Sequence, residues 1–136
     1  MKQKILFKGQ TEYGHWVKGS LDVDAFDNHI IITYQKAGRA QHCDKYAVKT
    51  ETVGRLVYEK DNVQYFTGDK LAIYTEGYEN FEDALADGSA CVSEINANGL
   101  VVIEYDEIYI AVEDLKGCCY EANIITNEEY EKILEG

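Results

Sequence analysis

Short apolar, β-branched runs alternate with clusters of turn-forming residues along most of the 136-residue chain. Gln3 to Lys8 carries Ile5-Leu6-Phe7, and after the turn residues Gly9 to Gly14 comes Trp16 to Leu21; together they predict a β-hairpin. Asp22 to Asn28 is a second turn region, and His29-Ile30-Ile31-Ile32-Thr33-Tyr34 is the most β-prone run of the first half. Gln35 to Lys45 holds Gly38 and several polar residues without periodicity, so it reads as a loop. Tyr46 to Tyr58 alternates imperfectly up to the turn cluster Glu59 to Asn62, and Val63 to Phe66 resumes the pattern. A Gly68-Asp69 step launches Lys70 to Tyr74, with Leu71 and Ile73 on one face.

The second half repeats this β pattern with two helical interruptions. Asn80 precedes Phe81, Ala84 and Leu85 at helical spacing, with Glu82 and Asp83 in the first turn and Gly88 as a stop. Ala90 to Asn96, Leu100 to Tyr105 and Ile108 to Glu113 form a three-strand meander through turns at Ala97-Asn98-Gly99 and Asp106-Glu107. Ala122 to Thr126 is a further short strand. Thr126 with Glu129, or Asn127 before two glutamates, then starts a C-terminal helix with Tyr130, Ile133 and Leu134 as its apolar stripe. The fold class is therefore mainly β with a short C-terminal helix.

Composition narrows the functional classes. Thirteen basic against twenty-five acidic residues leave a net charge of −12, which repels phosphate and argues against direct nucleic-acid binding. The bland explanation is a soluble surface; the special one is an acidic imitation of nucleic acid that occupies a host DNA-binding protein. Lys2-Gln3-Lys4 is followed by only three apolar residues, too few for a signal peptide or a membrane span, so a cytoplasmic location without membrane attachment is expected. In that compartment Cys43, Cys91, Cys118 and Cys119 would be reduced thiols, and on a strand the adjacent Cys118 and Cys119 would point to opposite faces with one of them buried.

Candidate chemistry is sparse. His15, His29 and His42 form no metal-ligand pair with one another, and the four cysteines match no zinc spacing; His42-Cys43 comes nearest to a site, but neighbouring residues on extended backbone point apart. Asp22-x-Asp24 and Glu104-x-Asp106 would place two carboxylates on one strand face, but so acidic a chain produces such pairs by chance. There is no phosphate-cradling glycine loop, nucleophile elbow or dinucleotide fingerprint. No catalytic residue, metal or cofactor is assigned. Trp16, Tyr34, Tyr58, Tyr65, Phe66 and Tyr74 read first as core or cross-strand pairs, and second as the lining of a groove for a partner segment.

Five ordered segments resemble the YopX-like proteins of phages and prophages. Phe7-Lys8-Gly9 with Gly14-His15-Trp16-Val17-Lys18-Gly19-Ser20-Leu21 is similar to that family's opening, and Glu51-Thr52-Val53-Gly54-Arg55 and Gly68-Asp69-Lys70-Leu71 to its central signatures. Gly99-Leu100-Val101 through Glu104-Tyr105-Asp106 resembles its hairpin, and Ala122 to Glu128 its ending. The chain departs from the pattern at Val57-Tyr58, at a contracted turn leaving Asp61-Asn62, and at Glu128 in place of proline, where Asn127 would still cap the helix. The resemblance implies an N-terminal β subdomain over residues 1–60 and a small SH3-type barrel with a C-terminal helix over residues 61–136, joined without a sharp boundary.

The resemblance supplies no catalytic residue, since that family has no assigned function. The expectation is a phage or prophage accessory protein, not an enzyme, that binds a host or phage protein in the bacterial cytoplasm. Trp16, Tyr58, Tyr65, Phe66, Asp69 and Tyr74 are the candidate binding residues, with the acidic decoy as the alternative. Association with a second copy through an open sheet edge is also compatible with small β structure.

Overall fold

The computed structural model describes residues 5–37 and 40–136, with the side chains of 34–42 excluded. The chain is mainly β and divides into two compact units, the first ending at Phe66 and the second spanning Thr67–Gly136. No helix among the described residues is long and apolar enough to cross a membrane.

The first unit is a six-stranded antiparallel sheet. Its strands are β1 (Phe7–Gln10), β2 (Trp16–Val23), β3 (His29–Ala37), β4 (Ala40–Val48), β5 (Gly54–Lys60) and β6 (Val63–Phe66), in the spatial order β4-β3-β2-β1-β5-β6. The expected hairpin forms, with Phe7 opposite Gly19 and Gln10 opposite Trp16, so the first strand runs on past Lys8 through Gly9. The start of its predicted run, residues 3 and 4, lies outside the described residues.

The expected loop from Gln35 to Lys45 is instead strand, apart from residues 38 and 39, which lie outside the described residues. Strands β3 and β4 pair from His29 opposite Val48 to Ala37 opposite Ala40. Residues 43–47 are all exposed and show no alternating burial. Alternation marks a strand only when one face is buried, and over residues 43–47 this one is held by its backbone ladder instead.

The imperfect run Tyr46 to Tyr58 is two strands, broken by a 3-10 turn at Thr50–Thr52. Gln10 N–H donates to Thr52 Oγ1 at 2.8 Å and Lys49 N–H to the Gln10 carbonyl at 2.8 Å, fastening this crossing to the end of β1. At Gly9 the packing admits no side chain: an added Cβ would lie 2.8 Å from Val48 Cγ2.

Strands β5 and β6 meet in a hairpin whose two turn residues, Asp61 and Asn62, both have positive φ (54° and 67°), the pattern of a type I′ turn. A bulge interrupts the ladder between Leu56 and Tyr58. Val57-Tyr58 and Asp61-Asn62 therefore belong to a regular two-residue hairpin with one extra residue in its first strand.

The second unit centres on β7 (Lys70–Thr75), flanked by β8 (Ala90–Glu94) and β11 (Tyr120–Ile125) in an antiparallel sheet; β9 (Leu100–Ile103) and β10 (Ile108–Ala111) form a separate hairpin. Leu71, Ile73, Ile95, Val101 and Ile103 are fully buried and make its core. Ser93 Oγ accepts from Val102 N–H at 3.0 Å, tying β8 to the hairpin. Asp106-Glu107 is the end of a 3-10 turn over Glu104–Asp106, and the predicted run to Glu113 stops at Ala111, followed by 3-10 turns at Val112–Asp114 and Lys116–Cys118.

Both predicted helices form. Helix α1 (Phe81–Ala86) is capped by Asn80 Oδ1, which accepts Asp83 N–H at 2.8 Å, and Gly88 follows at φ 74°. Helix α2 (Asn127–Glu135) is capped by Thr126 and not by Asn127: Thr126 Oγ1 accepts Glu129 N–H at 3.1 Å and the Glu129 carboxylate accepts Thr126 N–H at 3.2 Å. This reciprocal box satisfies two end donors at once. Tyr130 and Ile133 are half-buried, and Lys70 Nζ sits 5.4 Å from the Tyr130 ring centroid.

Candidate functional site

Strand pairing brings Lys8, Trp16 and Lys18 onto one face of the first unit's sheet. Lys8 lies opposite Lys18, and Gln10 opposite Trp16, so all four side chains share a side. Strand β6 contributes Phe66 and Gln64 to the same side, since Gln64 Oε1 accepts from Lys18 Nζ at 2.7 Å. Lys8 Nζ lies 4.9 Å from both the Trp16 and Phe66 ring centroids, and Lys18 Nζ 5.4 Å from Phe66. Such contacts stabilise by about 0.5–1 kcal/mol at exposed sites. Gln64 Nε2 passes the network on to Glu59 Oε2 at 2.7 Å.

The two aromatic rings on this face differ in availability. Phe66 is 1% exposed and lies beneath the lysines as part of the core, whereas Trp16 is 52% exposed. The lysine stems cover Phe66 while their charged heads stay outside. An accessible indole beside two ammonium groups suits a ligand with an anionic group next to an apolar or aromatic one.

Tyr58 and Tyr65 lie on the opposite side. They face each other across the ladder and stack with centroids 5.8 Å apart at 27°. Tyr65 neighbours Phe66 and Gln64 on one strand and so points away from them, and the bulge carries Tyr58 over to meet it. Burial, with Tyr58 adding to it, raises the Tyr65 phenol above its ordinary value and keeps it neutral.

Asp69 and Tyr74 belong to the second unit. Asp69 is buried, its carbonyl accepting Ile95 N–H at 2.9 Å, and Gly68 before it has φ 89°, a backbone position suited to glycine. Tyr74 is half-buried on β7, opposite Ala90 and Glu121. Of the six candidates, Trp16 and Phe66 share a face, Tyr58 and Tyr65 pair on the other side of that sheet, and Asp69 and Tyr74 are in a different unit.

A second polar cluster surrounds Tyr105 and Tyr120. The Tyr120 hydroxyl donates to Asp106 Oδ2, the Tyr105 and Thr75 hydroxyls are 3.1 Å apart, and the two rings meet edge to face at 6.3 Å. Burial first, then the Asp106 hydrogen bond, pushes the Tyr120 phenol well above its usual range, and burial also raises Tyr105 and the Cys91 thiol. Each shift favours the neutral, unreactive form. These contacts fasten a 3-10 turn to the sheet.

The carboxylate pairs prove to be turn chemistry. Asp24 follows the end of β2 and accepts from Phe26 N–H (2.8 Å), Asn28 N–H (3.0 Å) and Asn28 Nδ2 (3.1 Å), bonds that lower its pKa, the Asn28 backbone bond most. Glu104 and Asp106 sit in a 3-10 turn and not on a strand face. No group of three or more His, Cys, Asp or Glu that could hold a metal occurs among the described residues. Cys118 and Cys119 are both exposed, at the end of a 3-10 turn instead of on a strand; Cys91 is the buried thiol. Cys43 is exposed on β4, and the side chain of its neighbour His42 lies outside the described residues.

Charge divides sharply at the unit boundary. Residues 1–66 hold ten basic and eight acidic side chains, a net of +2, whereas residues 67–136 hold three basic and seventeen acidic, a net of −14. The overall −12 hides this, and counting each half separately would have revealed it. Lys8 and Lys18 were missed as site residues because only the strand register makes them neighbours of Phe66. No family model, curated protein or solved structure matches the chain.

Proposed function

We propose that the chain is a non-enzymatic protein-binding module, a phage or prophage accessory protein of the YopX-like kind acting in the host cytoplasm, and that its first unit docks an acidic partner protein. The observation that carries this reading is the half-exposed Trp16 with Lys8 Nζ 4.9 Å from its ring and Lys18 on the same sheet face. Aromatic and cationic groups so grouped supply both apolar contact and electrostatic selection. The order of the second unit, β7 to β10, then 3-10 turns, then β11 returning beside β7, supports the SH3-type barrel reading of that half.

The −14 of the second unit favours a second reading, an acidic decoy for a basic nucleic-acid-binding protein. One experiment separates them: quantitative capture from bacterial lysate with the wild type, Trp16→Ala, and the double variant Lys8→Glu/Lys18→Glu. The docking reading expects an acidic protein retained by the wild type and lost from both variants. Identical capture by all three chains refutes it, and basic partners retained by all three would favour the decoy.

A further inference from the structure

Strand β4 is an edge of the first unit's sheet: β3 lies on one side and no strand on the other among the described residues. Alternate residues of such an edge turn both backbone N–H and C=O outward, a template for another strand. It is nine residues long, about 30 Å at ordinary strand rise. Beside its last residues is an open concavity of about 450 Å³, bounded by the β1–β2 turn and the end of β4. Tyr13 and Tyr46 line it, 80% and 37% exposed, with the buried Val48.

Lys45 and Lys49 also line this concavity, against the single carboxylate of Glu12. Neither lysine side chain makes a hydrogen bond or ion pair among the described residues, in contrast to Lys70 and Lys116 in the second unit. An open ladder, an aromatic recess within the usual size of ligand pockets and two ammonium groups without a partner among the described residues together specify an occupant. We infer that β4 accepts an extended, acidic polypeptide segment by strand addition, seating an aromatic or aliphatic side chain between Tyr13 and Tyr46 and carboxylates against Lys45 and Lys49. This site is separate from the Lys8, Trp16 and Lys18 face, so each reading can fail without the other.

A second copy of the chain suits this edge poorly. A two-fold antiparallel ladder must set one residue opposite its own equivalent, and near the middle of β4 that residue is Asp44 or Lys45. Either choice opposes like charges, which weakens a cross-strand pair. An acidic segment of a different chain carries no such conflict.

The test titrates the isotope-labelled full chain with a capped heptapeptide that alternates glutamate with valine and a central tyrosine. Amide shifts confined to residues 40–49 and 11–13, with slowed hydrogen exchange along β4, are expected. Lys45→Glu/Lys49→Glu should weaken binding roughly tenfold or more, about 1.4 kcal/mol. Lys60→Glu, a charge reversal on β5 outside both sites, should leave it unchanged, and N-methylation of alternate peptide amides should abolish it. The inference is overturned by no binding at about 1 mM peptide, by equal binding of a lysine-for-glutamate peptide, by shifts at Lys8 and Trp16 with none along β4, or by self-association through β4 that excludes the peptide.

Discussion

Gly19→Ala should be the most damaging single-methyl change in the first unit. A Cβ at Gly19 would lie 2.1 Å from the Ile32 carbonyl oxygen, 2.8 Å from its carbonyl carbon and 3.3 Å from Ile31 Cγ2. Carbon and oxygen normally approach no closer than about 3.3 Å, so the two strands must separate by roughly 1 Å. The obstacle is backbone, within a ladder that pairs Ser20 with Ile32 and Leu21 with Ile31, and it has no rotamer to change. Overpacking typically costs about 1–3 kcal/mol where side chains can shift, so a loss of about 3 kcal/mol or more is expected. For a unit of this size that lowers Tm by about 12 °C or more.

Trp16 is the sole tryptophan and lies in the first unit, so its fluorescence during urea unfolding reports on that unit. Gly9→Ala is the matched comparison: its added methyl would meet a side chain and not backbone, Val48 Cγ2 at 2.8 Å and Val48 Cβ at 2.9 Å, and Val48→Ala, which keeps the Cβ, should recover only part of the loss. No truncation at Ile31 should recover Gly19→Ala. A stability for Gly19→Ala within about 0.5 kcal/mol of wild type would refute the reasoning, as would rescue by Ile31→Val.

Three other perturbations test separate features. Thr126→Ala removes the capping box and should destabilise α2 by about 1 kcal/mol, with Thr126→Ser retaining most of the stability, read from amide exchange in α2. Asn62→Val should cost about 1–2 kcal/mol in the fluorescence assay, because a β-branched residue is forced to φ 67° while Asn62→Gly is tolerated. Tyr120 has a raised pKa, so its contribution is complete below the unfolded value near 10 and is lost as pH rises through the higher folded value. Tyr120→Phe should therefore lower the second unit's stability at pH 7 by about 1–2 kcal/mol, and alkaline titration of the wild type should show a late-ionising tyrosine that the variant lacks.

Where local chemistry and burial agree, the sequence is sufficient to find structure. The run at residues 29–34, the alternation of Leu71 and Ile73, and the caps Asn80 and Thr126 each announce an element through nearby residues. Strand β4 does not, because its exposed positions 43–47 carry no alternating apolar face. The bulge at Val57 and the 3-10 turns between Val112 and Cys118 are likewise set by distant packing. The candidate site was partly visible: Trp16 stands out as an accessible aromatic, but its lysine neighbours come from strand pairing. Phe66, equally aromatic on paper, lies under Lys8 and Lys18, and nothing local to it indicates that cover.

The bulge in β5 acts as a buffer against a change in chain length. Ahead of it, Leu56 pairs with Phe66; beyond it, Tyr58 pairs with Tyr65, although Leu56 and Tyr58 have the same parity along the chain. The extra residue is thus absorbed in place, and Tyr58, Glu59 and Lys60 keep the partners and the sides they would have if Val57 were absent. Loss of Val57 would set Tyr58 directly after Leu56 and still opposite Tyr65. A codon gained or lost at this point therefore leaves both faces, the turn and every other strand in place, whereas one in the regular part of the ladder would turn its residues to the other side.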